Sequence, residues 1–187
     1  MASVAMYVVF FVGLFLVIDA KESDFCKVQP PIKEDFEILK TAGRWYEFAR
    51  YPNMYENVTT ERCYTYLMTV EGNDVHVTIT YIRKHESWEE RRNLEGEMTS
   101  VPDSPGKVRI TMPSVGLDNI FNIVDAKYDD YVITYLCDIS SVYKVEYATI
   151  LTRDVPLSDA KKKSLLEKLK SLKIDTERLE FDPKNNC

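Results

Sequence analysis

The sequence predicts an all-β protein: an eight-stranded antiparallel up-and-down β-barrel with one C-terminal α-helix packed outside it. Three observations predict this. Short runs alternating between apolar and polar residues recur through most of the chain, with the two-residue period of a half-buried strand. Turn-forming clusters such as Glu71-Gly72-Asn73-Asp74 and Pro102-Asp103-Ser104-Pro105-Gly106 separate those runs. After Arg153 the period changes to that of a helix. Eight strands make a barrel of a size to hold one small ligand, and 187 residues are enough for one domain with a sizeable core.

The chain begins with an almost wholly apolar run over residues 2–18, followed by Ala20 and the charged Lys21-Glu22-Ser23-Asp24. An apolar run near the N-terminus, ended by a small residue, reads as a signal peptide over 1–20 with a single mature domain over 21–187. No other stretch is long and apolar enough to span a membrane, so the expected product is secreted and extracellular. The formal net charge is −6, and cleavage would remove only one charged residue, Asp19. A mildly acidic surface argues against nucleic acid as a partner. The one basic run, Lys161-Lys162-Lys163, reads as a solvated helix face.

Residues 21–42 read as an irregular arm, broken at Pro30-Pro31. The first strand runs from Gly43 to Tyr51, plants Trp45 in the core and ends at Pro52. A polar loop then carries Asn57-Val58-Thr59, an N-glycosylation acceptor at Asn57. Cys63–Val70 is rich in aromatic and β-branched residues. Val75–Tyr81 alternates strictly, with Val75, Val77, Ile79 and Tyr81 on one face and His76, Thr78 and Thr80 on the other. Trp88–Ser100 is a more charged strand with Leu94, Gly96 and Met98 on one face. Lys107–Met112 aligns Val108, Ile110 and Met112. Ile120–Asp125, Tyr131–Cys137 and Val145–Arg153 complete the eight. Ser158 is then a good helix N-cap, with Asp159 in the first turn. Leu165, Leu169 and Leu172, with Leu166 beside them, form the stripe that faces the barrel. Leu179–Phe181 reads as a short edge strand.

Four cysteines, Cys26, Cys63, Cys137 and Cys187, imply two disulfides in a secreted chain, and their spacing leaves all three pairings open. None are close enough in sequence for a zinc knuckle, so no metal is expected. Neither histidine is placed for triad chemistry, and the acids read as lying mainly on turns and outer faces. The chain is therefore not expected to be an enzyme. His76 and His85 read as solvated.

In three places the chain resembles the lipocalin family. Gly43-Arg44-Trp45 is similar to its first motif. Asp129-Asp130-Tyr131 is similar to its second, with aspartate where threonine is usual. Thr152-Arg153 is similar to its third. All three stand in the family's order, and the resemblance covers residues 24–187. Gly43-Arg-Trp-Tyr-Glu-Phe-Ala-Arg-Tyr-Pro-Asn53, Asn119-Ile-Phe-Asn-Ile-Val124 and Tyr131-Val-Ile-Thr-Tyr-Leu-Cys137 resemble the branch containing apolipoprotein D and the insect bilin-binding, insecticyanin-like proteins. That resemblance implies the pairings Cys26–Cys137 and Cys63–Cys187. It also implies that Arg153 packs over Trp45 to close the barrel floor beside Gly43.

With Cys63 and Cys137 turned outward by that pairing, alternation sends Tyr64, Tyr66 and Met68 inward, and likewise Val132, Thr134 and Leu136. Hydrophobicity adds Ile79, Tyr81, Leu94, Ile110 and Met112, with Phe121 near the mouth, Tyr147 on the last strand, and Asn53 and Met54 in the entrance loop. Few charges point inward on this reading, Glu90 and Arg92 being the exceptions. Such an interior suits a flat or elongated hydrophobic molecule held by a few hydrogen bonds. The resemblance implies a bilin such as biliverdin or another lipophilic pigment. The alternative it implies is a fatty acid, sterol or retinoid. A secreted interaction or scavenger protein, acting through its surface, is the reading from another class.

Overall fold

A computed structural model describes residues 26, 29–53, 61–139 and 145–182. The leader over 1–20, Met54, Asn57 and Cys187 lie outside the described residues. In chain order the strands are β1 (Gly43–Arg50), β2 (Glu61–Glu71), β3 (Asp74–Lys84), β4 (Glu89–Val101), β5 (Ser104–Met112), β6 (Leu117–Lys127), β7 (Tyr131–Asp138) and β8 (Val145–Thr152). The helix α1 (Asp159–Ser171) and a two-residue strand, β9 (Glu180–Phe181), follow. Each strand pairs antiparallel with the next, and β1 pairs with both β2 and β8, so the eight-stranded sheet closes on itself; β9 adds to β1 outside the ring. Closure gives every strand of the ring two neighbours and removes the edge-pairing liability of an open sheet.

Alternation in the sequence appears directly as burial. In β3, Val75, Val77, Ile79 and Tyr81 are buried and the residues between them are partly exposed. The inward residues of all eight strands, with Phe36 and Ile38 of the arm, form one core cluster. A second cluster lies between the barrel wall and α1, where Leu165 and Leu169 pack on Ile133, Tyr135, Ala148 and Ile150. β7 and β8 are therefore covered on both faces, which is why they read as nearly continuous apolar runs. Ser158 caps α1 by accepting from the Lys161 backbone N–H at 3.2 Å.

Some strand ends differ from the sequence expectation. β5 begins at Ser104, two residues before Gly106 rather than after it, because the turn is confined to Pro102 and Asp103, with Asp103 at φ 57°. The arm crosses the barrel at Gly106: a Cβ there would meet Ile32 Cγ2 and the Lys33 carbonyl oxygen at 2.4 Å. Lys33 N–H donates to the Ile123 carbonyl at 2.8 Å, and Cys26 bonds to Cys137, so the arm is tied to the wall at two points. Cys63 is also disulfide-bonded, and the described residues hold no free cysteine.

Candidate functional site

One end of the barrel is closed, and the first motif builds it. Trp45 is fully buried, and its Nε1–H donates to the Thr41 carbonyl at 2.7 Å. The Arg153 guanidinium carbon lies 3.5 Å from the centroid of the Trp45 ring. Its three nitrogens donate to the carbonyls of Tyr128 (2.9 Å), Arg44 (2.8 Å) and Ala42 (2.8 Å). Burial pulls the Arg153 pKa below the usual guanidinium value. Gly43 is required beside it, since its φ is +103° and a Cβ would lie 3.0 Å from Arg153 Nη1. The Ile38–Thr41 turn and Phe36 complete the floor.

Above the floor lies a cavity of about 120 Å³. Its lining is mainly aliphatic and thioether, including Met68, Met98 and Met112. Four rings, Phe36, Tyr66, Phe121 and Tyr147, also line it. Of the residues expected to meet a ligand, Tyr66, Met68, Ile79, Leu94, Ile110, Met112, Phe121, Tyr147 and the mouth residue Asn53 line this cavity. Tyr64, Tyr81 and Leu136 do not; they are buried in the same core cluster. Phe36, Thr41, Val115, Leu117 and Leu151, none of them expected from the sequence, also line the cavity. Phe36 and Thr41 come from an arm with no periodicity to read. Val115 and Leu117 flank Gly116 in the β5–β6 connection. Leu151 continues the inward face of Tyr147 and Thr149, so extending the alternation by one step would have found it.

The expectation of few inward charges is corrected by the structure. Glu47 (0% exposed) and Arg50 (1%) are buried and ion-paired with each other. Both carboxylate oxygens of Glu47 are engaged, since the Tyr66 hydroxyl donates to Glu47 Oε2 at 2.8 Å and Arg50 binds Oε1. Glu61, also buried, accepts from the Tyr64 hydroxyl at 2.6 Å and from Arg83 at 2.6 and 2.8 Å. The groups stack in layers: Arg50 lies over Tyr64 at 4.7 Å, Tyr64 over Tyr81 at 5.0 Å, and Arg83 lies 5.7 Å from the Tyr81 ring. Simple alternation from Trp45 already places Glu47 inward, whereas Arg50 and Glu61 are off parity because of register shifts between Glu47 and Ala49 in β1 and between Arg62 and Thr65 in β2. Residues 90 and 92, expected to face in, are an ion pair at the rim, with the Arg92 side chain 51% exposed. The interior thus has a neutralised ionic cluster on β1–β3 and, beside it, an apolar hollow lined from β2 through β8.

Both histidines sit away from the cavity lining, as expected. His76 meets Glu95 at 2.8 Å on the outer face. His85 meets Glu90 at 3.1 Å and stacks on Trp88 with ring centroids 4.0 Å apart. Among the described residues, no group of three His, Cys, Asp or Glu could hold a metal ion, and no helix is long and apolar enough to cross a membrane.

Comparison with known proteins agrees with this architecture. Residues 36–184 match the family model of the lipocalin-like domain. Apolipoprotein D of Macaca fascicularis is 27% identical over 183 residues, covering 94% of this chain and 92% of that protein. The bilin-binding protein of Pieris brassicae is 29% identical over 115 residues, covering 60% of this chain and 57% of that protein. The structure of insecticyanin from the tobacco hornworm Manduca sexta superposes with a TM-score of 0.67 at 20% identity, covering 87% of each chain, which is a likeness of fold.

Proposed function

The chain belongs to the lipocalin family, and we propose that it is a secreted carrier that holds a small hydrophobic molecule in its barrel. The observation that carries this reading is the cavity itself: a hollow above the barrel floor, lined by apolar groups and a few hydroxyls, with no ionised side chain among the described residues that line it. Transfer of apolar surface into such a site is favourable by roughly 25 cal/mol per Å², and the hydroxyls orient what enters. The Cys26–Cys137 disulfide supports an oxidising, extracellular destination, in keeping with a signal peptide over 1–20 and a glycan on Asn57.

For the ligand we propose a bilin such as biliverdin or another conjugated pigment, taking the likeness to the Pieris brassicae bilin-binding protein as support. The volume favours a second reading. About 120 Å³ lies below the roughly 300–1,000 Å³ of pockets that hold drug-sized molecules. A slender acyl, sterol or retinoid skeleton therefore needs less rearrangement than a tetrapyrrole. The three lining methionines are the side chains best able to yield to the wider molecule, being unbranched and rich in rotamers. Native mass spectrometry with an absorbance spectrum, on protein from its natural source, separates the readings. A far-red band with the matching mass assigns a bilin. A colourless protein carrying a lipid assigns the slender ligand. A protein that arrives empty and takes up neither biliverdin nor a retinoid overturns the carrier reading.

A further inference from the structure

The hydroxyls that line the cavity have a direction. A hydroxyl has one proton to give and two lone pairs that accept. Among the described residues, the hydroxyl side chains of Thr41, Tyr66, Thr134, Tyr147 and Thr149 line the hollow. Tyr66, Thr41 and Thr134 each spend their proton on the protein. Tyr66 donates to Glu47 Oε2 at 2.8 Å, Thr41 donates to the Ile38 carbonyl at 2.6 Å, and Thr134 donates to the Thr149 carbonyl at 3.4 Å. The Tyr66 bond is the firmest in direction. Its acceptor is a carboxylate in an ion pair with Arg50, which has no proton to return, and hydrogen bonds to ionised acceptors are the strong ones. Whatever else meets the Tyr66, Thr41 or Thr134 oxygen must donate to it.

We propose that this cavity selects neutral ligands bearing an O–H or N–H donor on the buried part of an apolar skeleton, such as alcohols and N–H heterocycles, over isosteric ethers and ketones. The inference rests on the carrier reading and deepens it. Tyr66 and Thr134 are the selecting residues, and Glu47 is a positioning residue that acts through Tyr66 by taking its proton. The selectivity has a physical origin. An acceptor-only group brought against these oxygens leaves two acceptors facing each other in a dry site, and neither recovers the hydrogen bond it gave up to water. An ionised group on the ligand is excluded from the same depth, because the nearest buried charges on the β1–β3 wall already neutralise one another.

The test compares two isomers of identical composition, decanol and methoxynonane, by isothermal titration calorimetry on the secreted full-length protein. One hydrogen bond made or missed predicts that decanol binds about three- to tenfold more tightly. The variants Tyr66→Phe and Thr134→Val keep the shape of the lining and each remove one acceptor, so the preference for decanol should shrink in one or both. Two variants on different strands are used so that a folding defect in one leaves the other to decide. Equal or tighter binding of methoxynonane by the wild-type protein overturns the proposal while leaving the carrier reading intact. A decanol preference that survives unchanged in both folded variants also overturns it. Failure of both isomers to bind overturns the carrier reading, and the proposal with it.

Discussion

Single residues at the closed end show how little freedom the first and third motifs leave. Arg153 satisfies three backbone carbonyls and covers the Trp45 ring with one planar group. Lysine cannot reproduce that fork. Arg153→Lys is expected to cost about 2 kcal/mol, the scale of charge-assisted bonds lost without replacement, read as a lower urea midpoint at unchanged slope. Gly43→Ala combines a left-handed backbone with a Cβ 3.0 Å from Arg153, and should cost about 1–3 kcal/mol in the same assay. At the other end of β1, Arg50→Met removes the guanidinium from beside the buried Glu47 carboxylate. Breaking one side of a buried pair costs about 3–5 kcal/mol, so this variant should be the least stable of the three in urea. These residues differ in how readily the sequence shows them. The Gly-x-Trp and terminal arginine resemble the motifs of a known family, and that resemblance makes their roles legible. Glu47 shares the inward parity of Trp45, but nothing local marks Arg50, which lies beyond the register shift of β1, as its buried partner.

Among the elements, α1 is the one whose attachment is not made by the sheet ladder. Its leucines pack on β7 and β8, and Lys168 reaches back to Asp125 of β6 at 2.6 Å. Burial of Asp125 acts to raise its carboxyl, but hydrogen bonds from Lys168 and Tyr131 outweigh it and hold the pKa below the ordinary 3.8. A carboxylate depressed on folding adds stability above its unfolded value, and that contribution is lost as pH falls through the lower folded value. The attachment of α1 should therefore be intact at neutral pH and weaken only below about pH 4. Asp125→Asn should lower stability at pH 7 and flatten the acid limb of a pH-dependent thermal melt. An acid limb identical to wild type would show that the pair contributes nothing. At this scale strand existence was legible throughout and strand ends were not. The β5 start moved because the turn needs only Pro102 and Asp103, with Asp103 in the left-handed region at φ 57°.

At the scale of the whole molecule, the barrel is a closed ring with an arm stapled across it. The Cys26–Cys137 bond joins residues 111 apart. The chain-entropy model assigns about 4–5 kcal/mol to a loop of that length. A Cys26→Ser, Cys137→Ser double variant should therefore lose several kcal/mol in denaturant melts while its far-ultraviolet spectrum keeps the strand signature of the wild type. Loss of that signature under native conditions would mean that the bond is needed to fold the barrel as well as to steady it.

By itself the sequence determined the number and order of the strands, the outer helix and the face of most strands that turns inward, and its three short motifs pointed to the residues that seal the floor through their resemblance to a known family. All of these follow from period, turn chemistry and short motifs, which are local. The tertiary structure decided how much room the inward faces leave, which tyrosines border that room and which are consumed by the ionic wall, and which way the lining hydroxyls point their protons. A two-residue period says to which side of the sheet a side chain projects. It carries no information about the distance to the opposite wall, or about the partner from another strand that takes a proton or neutralises a charge.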